Sequence, residues 1–167
     1  MFRNAITRRL CEFLDEIGIE VVPARLLEGE CFLPGIRVEG GKLYVDESGL
    51  TYPGDLLHEA GHLAVAPGEV RPGLSGEVII PGADMNAVEA HVTAWAYAAI
   101  THLGLNAEIL FHEGGYRGKS QGLLFTYRAG VYLGANGLQA AGMTALGNVA
   151  HELGVAPYPH MLKWLRD

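Results

Sequence analysis

Residues 56–65 read Leu-Leu-His-Glu-Ala-Gly-His-Leu-Ala-Val, and the centre of this stretch has the pattern HExxH. His58 and His62 are four residues apart, with Glu59 directly after the first. Residues at this spacing lie about one turn apart on the same face of a helix, so both imidazoles can reach one ion. Zinc accepts neutral imidazole nitrogen, and Glu59 is offset around the helix, where it can take a proton from a water on the metal. The pattern therefore predicts zinc at His58 and His62, with Glu59 as general base.

The sequence around the motif is typical of a helix. We expect this helix to begin within 52–55, with Thr51 as its cap, and to stop before Pro67. A segment rich in glycine and proline follows, 66–84, and connections of this length often line a functional site. The next helix is predicted from about 85 to 103 and is rich in alanine.

A third protein ligand must come from outside the motif, and Glu89 is the main candidate. An unpaired carboxylate is costly to bury in an alanine-rich helix, and coordination to a cation removes that cost. His91 is the rival, but two residues apart on a helix is about 200° of rotation, so Glu89 and His91 cannot both face the metal. Asp84 and Glu77 remain as weaker alternatives.

The rest of the chain predicts an α+β fold in one domain, 1–167. A small, mostly antiparallel sheet would pack on the HExxH helix and on the helix that carries Glu89, and the last third would be helical. The spacing of apolar residues predicts a first helix over 2–17, a strand over 19–22, a hairpin over 36–45 turning at Gly40-Gly41, and later helices over 123–133, 138–146 and 161–165. His151-Glu152 begins like a second HExxH, but Val155 occupies the ligand position, so we interpret it as a helix end.

Composition excludes several classes of partner. The 167 residues are 49% hydrophobic and 19% charged, with a formal net charge of −7, which argues against nucleic acid and anionic lipid as partners. The alanine-rich stretch 87–105 contains Glu89, His91 and His102, so it predicts a buried helix, not a membrane span. With no secretory signal and only Cys11 and Cys31, expected to be reduced thiols, a cytoplasmic location is the default.

A family resemblance follows from the order of these features. A strand, the HExxH helix, a glycine-rich gap and then Glu-Ala-His-Val-Thr-Ala at 89–94 resemble the gluzincin branch of zinc metallopeptidases. Within it, the small bacterial domains of the ImmA/IrrE type are most similar, and the likeness covers roughly 43–100. The resemblance implies a zincin-like fold, zinc at His58, His62 and Glu89, and Glu59 as catalytic base. The chain differs from that family at Thr93, where a large apolar residue is common.

These features favour a zinc metallopeptidase that hydrolyses peptide bonds in a protein or peptide substrate. Such an enzyme needs a donor for the oxyanion, and His112, Tyr116 and Tyr127 are the candidates, with Tyr116 preferred. The alternative is a non-catalytic zinc-binding module that interacts with a protein or peptide, and a third hypothesis is a helix pair without metal. The glycine-rich last third fits either a homo-oligomer interface or the wall of a cleft.

Overall fold

The structure is a computed structural model that describes residues 2–27, 29, 31 and 33–167. Within these ranges the elements are α1 (Ala5–Glu16), β1 (Val21–Pro23), β2 (Ile36–Glu39), β3 (Lys42–Val45), α2 (Asp55–Val65), α3 (Met85–His102), α4 (Ser120–Arg128), α5 (Ala135–Ala140) and α6 (Gly147–Leu153). Short 3₁₀ turns lie at Arg71–Gly73, Ala107–Ile109 and Tyr116–Gly118. Helices combined with a small sheet confirm the α+β class.

The sheet has the strand order β1-β3-β2. Strands β2 and β3 form the predicted hairpin, and Gly40 and Gly41 at its turn both have positive φ, which glycine adopts without steric cost. Strand β1 pairs in parallel with β3, with Val21 opposite Leu43. The sheet is therefore mixed, and the prediction of a mostly antiparallel sheet was wrong. Alternating patterns indicate which face of a strand is buried, but they do not say which distant strand it pairs with.

Helices α2 and α3 cross at the centre of the core. A Cβ added at Gly61 would lie 2.9 Å from Val92 Cγ1 and 3.3 Å from the Val92 carbonyl oxygen, so glycine lets the two helices approach closely. The side chains that fill this region have no exposed surface: Leu56, Leu57, Ala60, Leu63, Ala64, Val92, Trp95, Ala96 and Ala99. Close packing of two rigid elements fixes the position of any polar group they carry.

The start of α2 differs from the prediction in its cap. The helix begins at Asp55, within the expected range, but its N-cap is Gly54, which has no side chain to accept a hydrogen bond. Thr51 is exposed and does not cap it, so that prediction was wrong. Packing explains the glycine, because a Cβ there would lie 2.0 Å from the carbonyl oxygen of Ile109.

The segment 66–84 contains one 3₁₀ turn and is attached to the hairpin and to the tail of the chain. Gly41 donates its N–H to the Leu74 carbonyl at 3.0 Å. The Arg71 guanidinium donates to the backbone carbonyls of Leu63, Ala66 and Arg166. The hydrogen bonds of Arg71 therefore attach this long connection to the end of α2.

The last third differs most from the prediction. Helices α4 and α5 end at Arg128 and Ala140, earlier than expected, and Gly130 and Gly142 with positive φ lie just beyond those ends. Helix α6 ends at Leu153, which confirms that His151-Glu152 is a helix end.

No helix forms over 161–165. The N–H groups of Leu162 and Lys163 both donate to the Met143 carbonyl, and Thr144 pairs with Met161 in an isolated β-bridge. The backbone groups that a helix would use are thus bonded to a distant segment.

Every helix in the described ranges is too short or too polar to cross a bilayer. Cys11 and Cys31 are free thiols, and Cys11 is buried in α1.

Candidate metal centre

Four polar side chains lie along one face of α2: Asp55, His58, Glu59 and His62. Their spacing places them on the same side of the helix, over two turns. Leucine and alanine side chains fill the opposite side. The two imidazole rings stand at 83° to each other with their Nε2 atoms 3.3 Å apart. Both nitrogens point to the same place, as the spacing predicted.

Helix α3 brings the carboxylate of Glu89 to this place. One Glu89 oxygen lies 3.6 Å from His58 Nε2, and the other lies 3.3 Å from His62 Nε2. Donors held about 2.05 Å from a zinc ion at tetrahedral angles are about 3.3 Å apart. The separation of the two imidazole nitrogens, 3.3 Å, fits two corners of such a site, and one carboxylate oxygen of Glu89 lies within 4.8 Å of both nitrogens.

The two histidines are neutral in this environment. Burial lowers the pKa of His58 to about 4 and that of His62 to about 3. Their contacts with Glu89 are therefore not salt bridges, because the imidazoles carry no charge at neutral pH. Two neutral imidazoles and one carboxylate leave net negative charge and three converging lone pairs, which is the donor set that zinc prefers. These three residues therefore present a donor set that fits zinc.

Glu59 is buried beside the triad. The residue is 5% exposed, and its side chain makes no hydrogen bond or ion pair with another described residue. Burial, with smaller contributions from Asp55 and Glu89, raises the pKa of the Glu59 carboxyl to about 7. A carboxyl group with a pKa close to neutral can both accept and return a proton.

Tyr116 forms one wall of the centre. Its ring stands edge-on to the ring of His58, with centroids 5.7 Å apart. Its hydroxyl is buried without a hydrogen-bond partner, and burial raises its pKa far above the usual range, so the hydroxyl keeps its proton. Tyr116 and Arg117 both have φ of 53°, a left-handed conformation that is costly for residues with a side chain. Strained backbone here holds the Tyr116 ring against His58.

His112 and Asp55 form a second polar pair next to His58. His112 Nε2 lies 2.8 Å from an Asp55 oxygen, and the imidazole stacks on the ring of Tyr52 at 3.9 Å between centroids. Glycine is needed in the adjoining loop, because a Cβ at Gly114 would lie 2.5 Å from the Tyr52 ring and one at Gly115 would lie 3.0 Å from the His112 ring. Asp55 lies three residues before His58, a helical spacing that could have indicated this role from the sequence.

The hydroxyl of the third oxyanion candidate, Tyr127, already has a hydrogen-bond partner. Its hydroxyl donates to the Leu133 carbonyl, and its ring packs between Tyr97 and Phe111. Of the three residues that the sequence left open, Tyr116 has an unpaired hydroxyl and a ring that packs on His58. His112 is paired with Asp55, and Tyr127 is a core residue.

The centre is most exposed on the side of Glu89. Half of the Glu89 side chain is exposed, against 21% for His58 and 8% for His62. Burial raises the pKa of Glu89, the nearby Arg117 guanidinium opposes that rise, and Glu77 reinforces it. A ligand would therefore enter past one basic and one acidic side chain.

None of the alternative ligands, His91, Asp84 or Glu77, belongs to the group of described residues that could hold a metal. His91 points into a different cleft, where its Nε2 would lie 1.9 Å from a Cβ added at Gly137. Asp84 caps α3 by accepting the N–H of Asn86. Among the described residues, the group able to hold a metal ion consists of His58, His62 and Glu89.

Comparison of the chain with protein families, with curated proteins and with solved structures finds no match. The interpretation of the centre therefore depends on its own geometry and chemistry.

Proposed function

We propose that this chain is a zinc-dependent peptidase on a zincin-like fold, in which His58, His62 and Glu89 hold the ion and Glu59 is the general base. The observation that supports it best is the convergence of two imidazole nitrogens and a carboxylate, with ligand atoms within 4.8 Å of one another, beside the buried residue Glu59. The order of the ligands along the chain is that of the gluzincin branch, to which the ImmA/IrrE-type domains belong.

In this proposal each group of the site has a separate role in the reaction. A zinc ion there would supply a Lewis acid and lower the pKa of a bound water. Glu59 accepts the proton that the attacking water loses and returns it to the leaving amine, which its pKa of about 7 suits. Tyr116 donates its unpaired hydroxyl to the carbonyl oxygen on which negative charge develops.

Metal binding is tested first, by elemental analysis and zinc titration of purified protein. We expect one zinc per chain in wild type, and a loss of affinity in His58→Ala and Glu89→Gln larger than the roughly 10–100-fold typical of outer-shell partners. His91→Ala and His151→Ala are matched histidine controls outside the triad and should bind zinc as wild type does. Equal zinc affinity in all four variants would end the proposal.

Catalysis is tested with zinc-loaded protein and a pool of short peptides analysed by mass spectrometry. Glu59→Gln should keep its zinc and cleave about 10²–10⁴-fold more slowly. Tyr116→Phe should keep its zinc and lose about 10²–10³-fold in kcat. Wild-type rates in Glu59→Gln would exclude Glu59 as the base.

The enclosure of His58 by Tyr116 favours a second candidate function, a zinc-binding module without catalysis that interacts with a protein or peptide. The two functions differ in the fourth coordination position, which is open in catalytic sites and closed by protein in structural ones. Cobalt(II)-substituted protein separates them: added azide changes the visible spectrum if the position is open and leaves it unchanged if a protein ligand fills it.

A further inference from the structure

A second cleft, of about 230 Å³, lies between the end of α2, α3, α5 and the tail of the chain. Most of its lining is apolar, including Val65, Leu138 and Met143, and two side chains bring polar groups to it, His91 and Arg166. It shares no lining residue with the His58–His62–Glu89 triad.

Close packing of α5 on α3 places His91 in this cleft. A Cβ at Gly134 would lie 2.0 Å from the Ala90 carbonyl oxygen, and one at Gly137 would lie 1.9 Å from His91 Nε2. Glycine at both positions therefore lets the imidazole lie directly against the backbone of α5. His91 is half-buried and makes no hydrogen bond with any described residue, so its ring nitrogens have hydrogen-bonding capacity left for a ligand.

Arg166 supplies the charge of the cleft. Its backbone N–H donates to the Ala64 carbonyl at 2.9 Å, which fixes it beside the end of α2. Its guanidinium has a single long contact, 3.5 Å, to the Val65 carbonyl, so most of its five donors are unused. The neighbouring acid, Asp167, is paired with Lys163. The cleft is thus locally cationic in a chain whose net charge is −7.

We propose that this cleft binds a small organic monocarboxylate, with the carboxylate on Arg166 and His91 and a short apolar group among Val65, Leu138 and Met143. A guanidinium fork matches a carboxylate. The volume is below the roughly 300–1,000 Å³ of pockets for drug-sized ligands, so the ligand is small. One cation in apolar surroundings suits a monocarboxylate better than phosphate, which needs several donors.

The test is an NMR titration of the His91 ring signals, identified by their loss in His91→Gln, with isovalerate as the probe. Isovalerate should shift these signals in a saturable manner, and isovaleramide and inorganic phosphate should not. Arg166→Gln should weaken isovalerate binding at least about tenfold, because losing even one charge-assisted hydrogen bond has that effect. Arg128→Gln, which removes an exposed arginine that pairs with Glu108 far along the chain, should leave binding unchanged.

No shift with isovalerate, equal shifts with the amide, binding of phosphate instead, or unchanged affinity in Arg166→Gln would each overturn the proposal. The titration uses chelator-treated protein and measures no turnover. Its outcome is therefore independent of whether the triad binds zinc or cleaves peptides.

Discussion

Glu59 is 5% exposed as a residue, and no hydrogen bond or ion pair with a described residue compensates the burial of its side chain. Ionising such a group costs free energy in the folded protein and none in the unfolded chain. The position is therefore unfavourable for stability above the ordinary pKa of glutamate, unless a cation is bound beside it. A buried group whose shifted pKa lowers the stability of the protein is typical of functional sites.

This cost predicts a pH dependence in chelator-treated protein. The pKa of Glu59 rises from 4.5 to about 7 on folding, so its stabilising contribution is complete below pH 4.5 and is lost as the pH rises through 7. The difference corresponds to about 3 kcal/mol. In urea denaturation, Glu59→Gln should therefore gain about that much over wild type at pH 8 and little at pH 4.5. Glu12→Gln, at an exposed position in α1, should follow wild type, and parallel curves for Glu59→Gln and wild type would contradict the prediction.

The residues of the site differ in how far their sequence context reveals them. His58, Glu59 and His62 follow from the geometry of one helix, and Glu89 follows from the cost of an unpaired carboxylate in an alanine-rich helix. The place of Tyr116 depends on a left-handed turn at 116–117, and tyrosine there gives no signal of it. The pairing of His112 with Asp55 joins residues 57 positions apart, which no local pattern encodes.

The helices and strands also divide into those that the local sequence predicts and those that depend on distant contacts. Helices α2 and α3 and the β2–β3 hairpin lie where their periodicity predicts, because each is bounded by local signals. The parallel partner of β1 and the missing helix over 161–165 depend on hydrogen bonds to distant segments, Leu43 for the strand and Met143 for the tail. Residues with a helical pattern lose the helix when their N–H groups find acceptors elsewhere.

The close crossing of α2 and α3 leads us to predict that replacing Gly61 with alanine destabilises the protein. Glycine-to-alanine changes inside helices normally stabilise by about 0.5–1 kcal/mol. At Gly61 the added Cβ would lie 2.9 Å from Val92 Cγ1, and overpacking of this kind costs about 1–3 kcal/mol. Gly61→Ala should therefore lower the free energy of unfolding by about 1 kcal/mol and weaken zinc binding, since it moves Glu89 away from the histidines.

Gly122 in α4 provides the matched control for Gly61, because a Cβ there would meet nothing within 4 Å. Gly122→Ala should raise the free energy of unfolding by about 0.5–1 kcal/mol and leave zinc binding as in wild type. If both variants gained stability alike, the close approach of α2 and α3 would not depend on Gly61.

At the scale of the whole molecule, the tail joins the two ligand-bearing helices from outside. The Tyr158 hydroxyl donates to the Ala94 carbonyl at 2.8 Å, and the Trp95 indole donates to the Trp164 carbonyl at 2.8 Å. The Arg166 N–H bonds the carbonyl of Ala64 at 2.9 Å. One segment near the end of the sequence thus bonds to both α2 and α3, and sequence periodicity could not predict this long-range arrangement.

Because the core around α2 and α3 is filled by apolar side chains and held by the tail, the chain should fold without metal, unlike zinc fingers, whose folding free energy comes from the ion. Zinc then acts as a ligand of the folded state, and its effect follows mass action. At a free concentration about a thousandfold above the Kd, it should raise the free energy of unfolding by about 4 kcal/mol. Denaturation with chelator and with zinc measures this gain, which Glu89→Gln should largely lose and His91→Gln should keep. A chelated chain without a cooperative transition would mean that the ion is part of the core, and a wild-type chain indifferent to zinc would mean that His58, His62 and Glu89 converge for another reason.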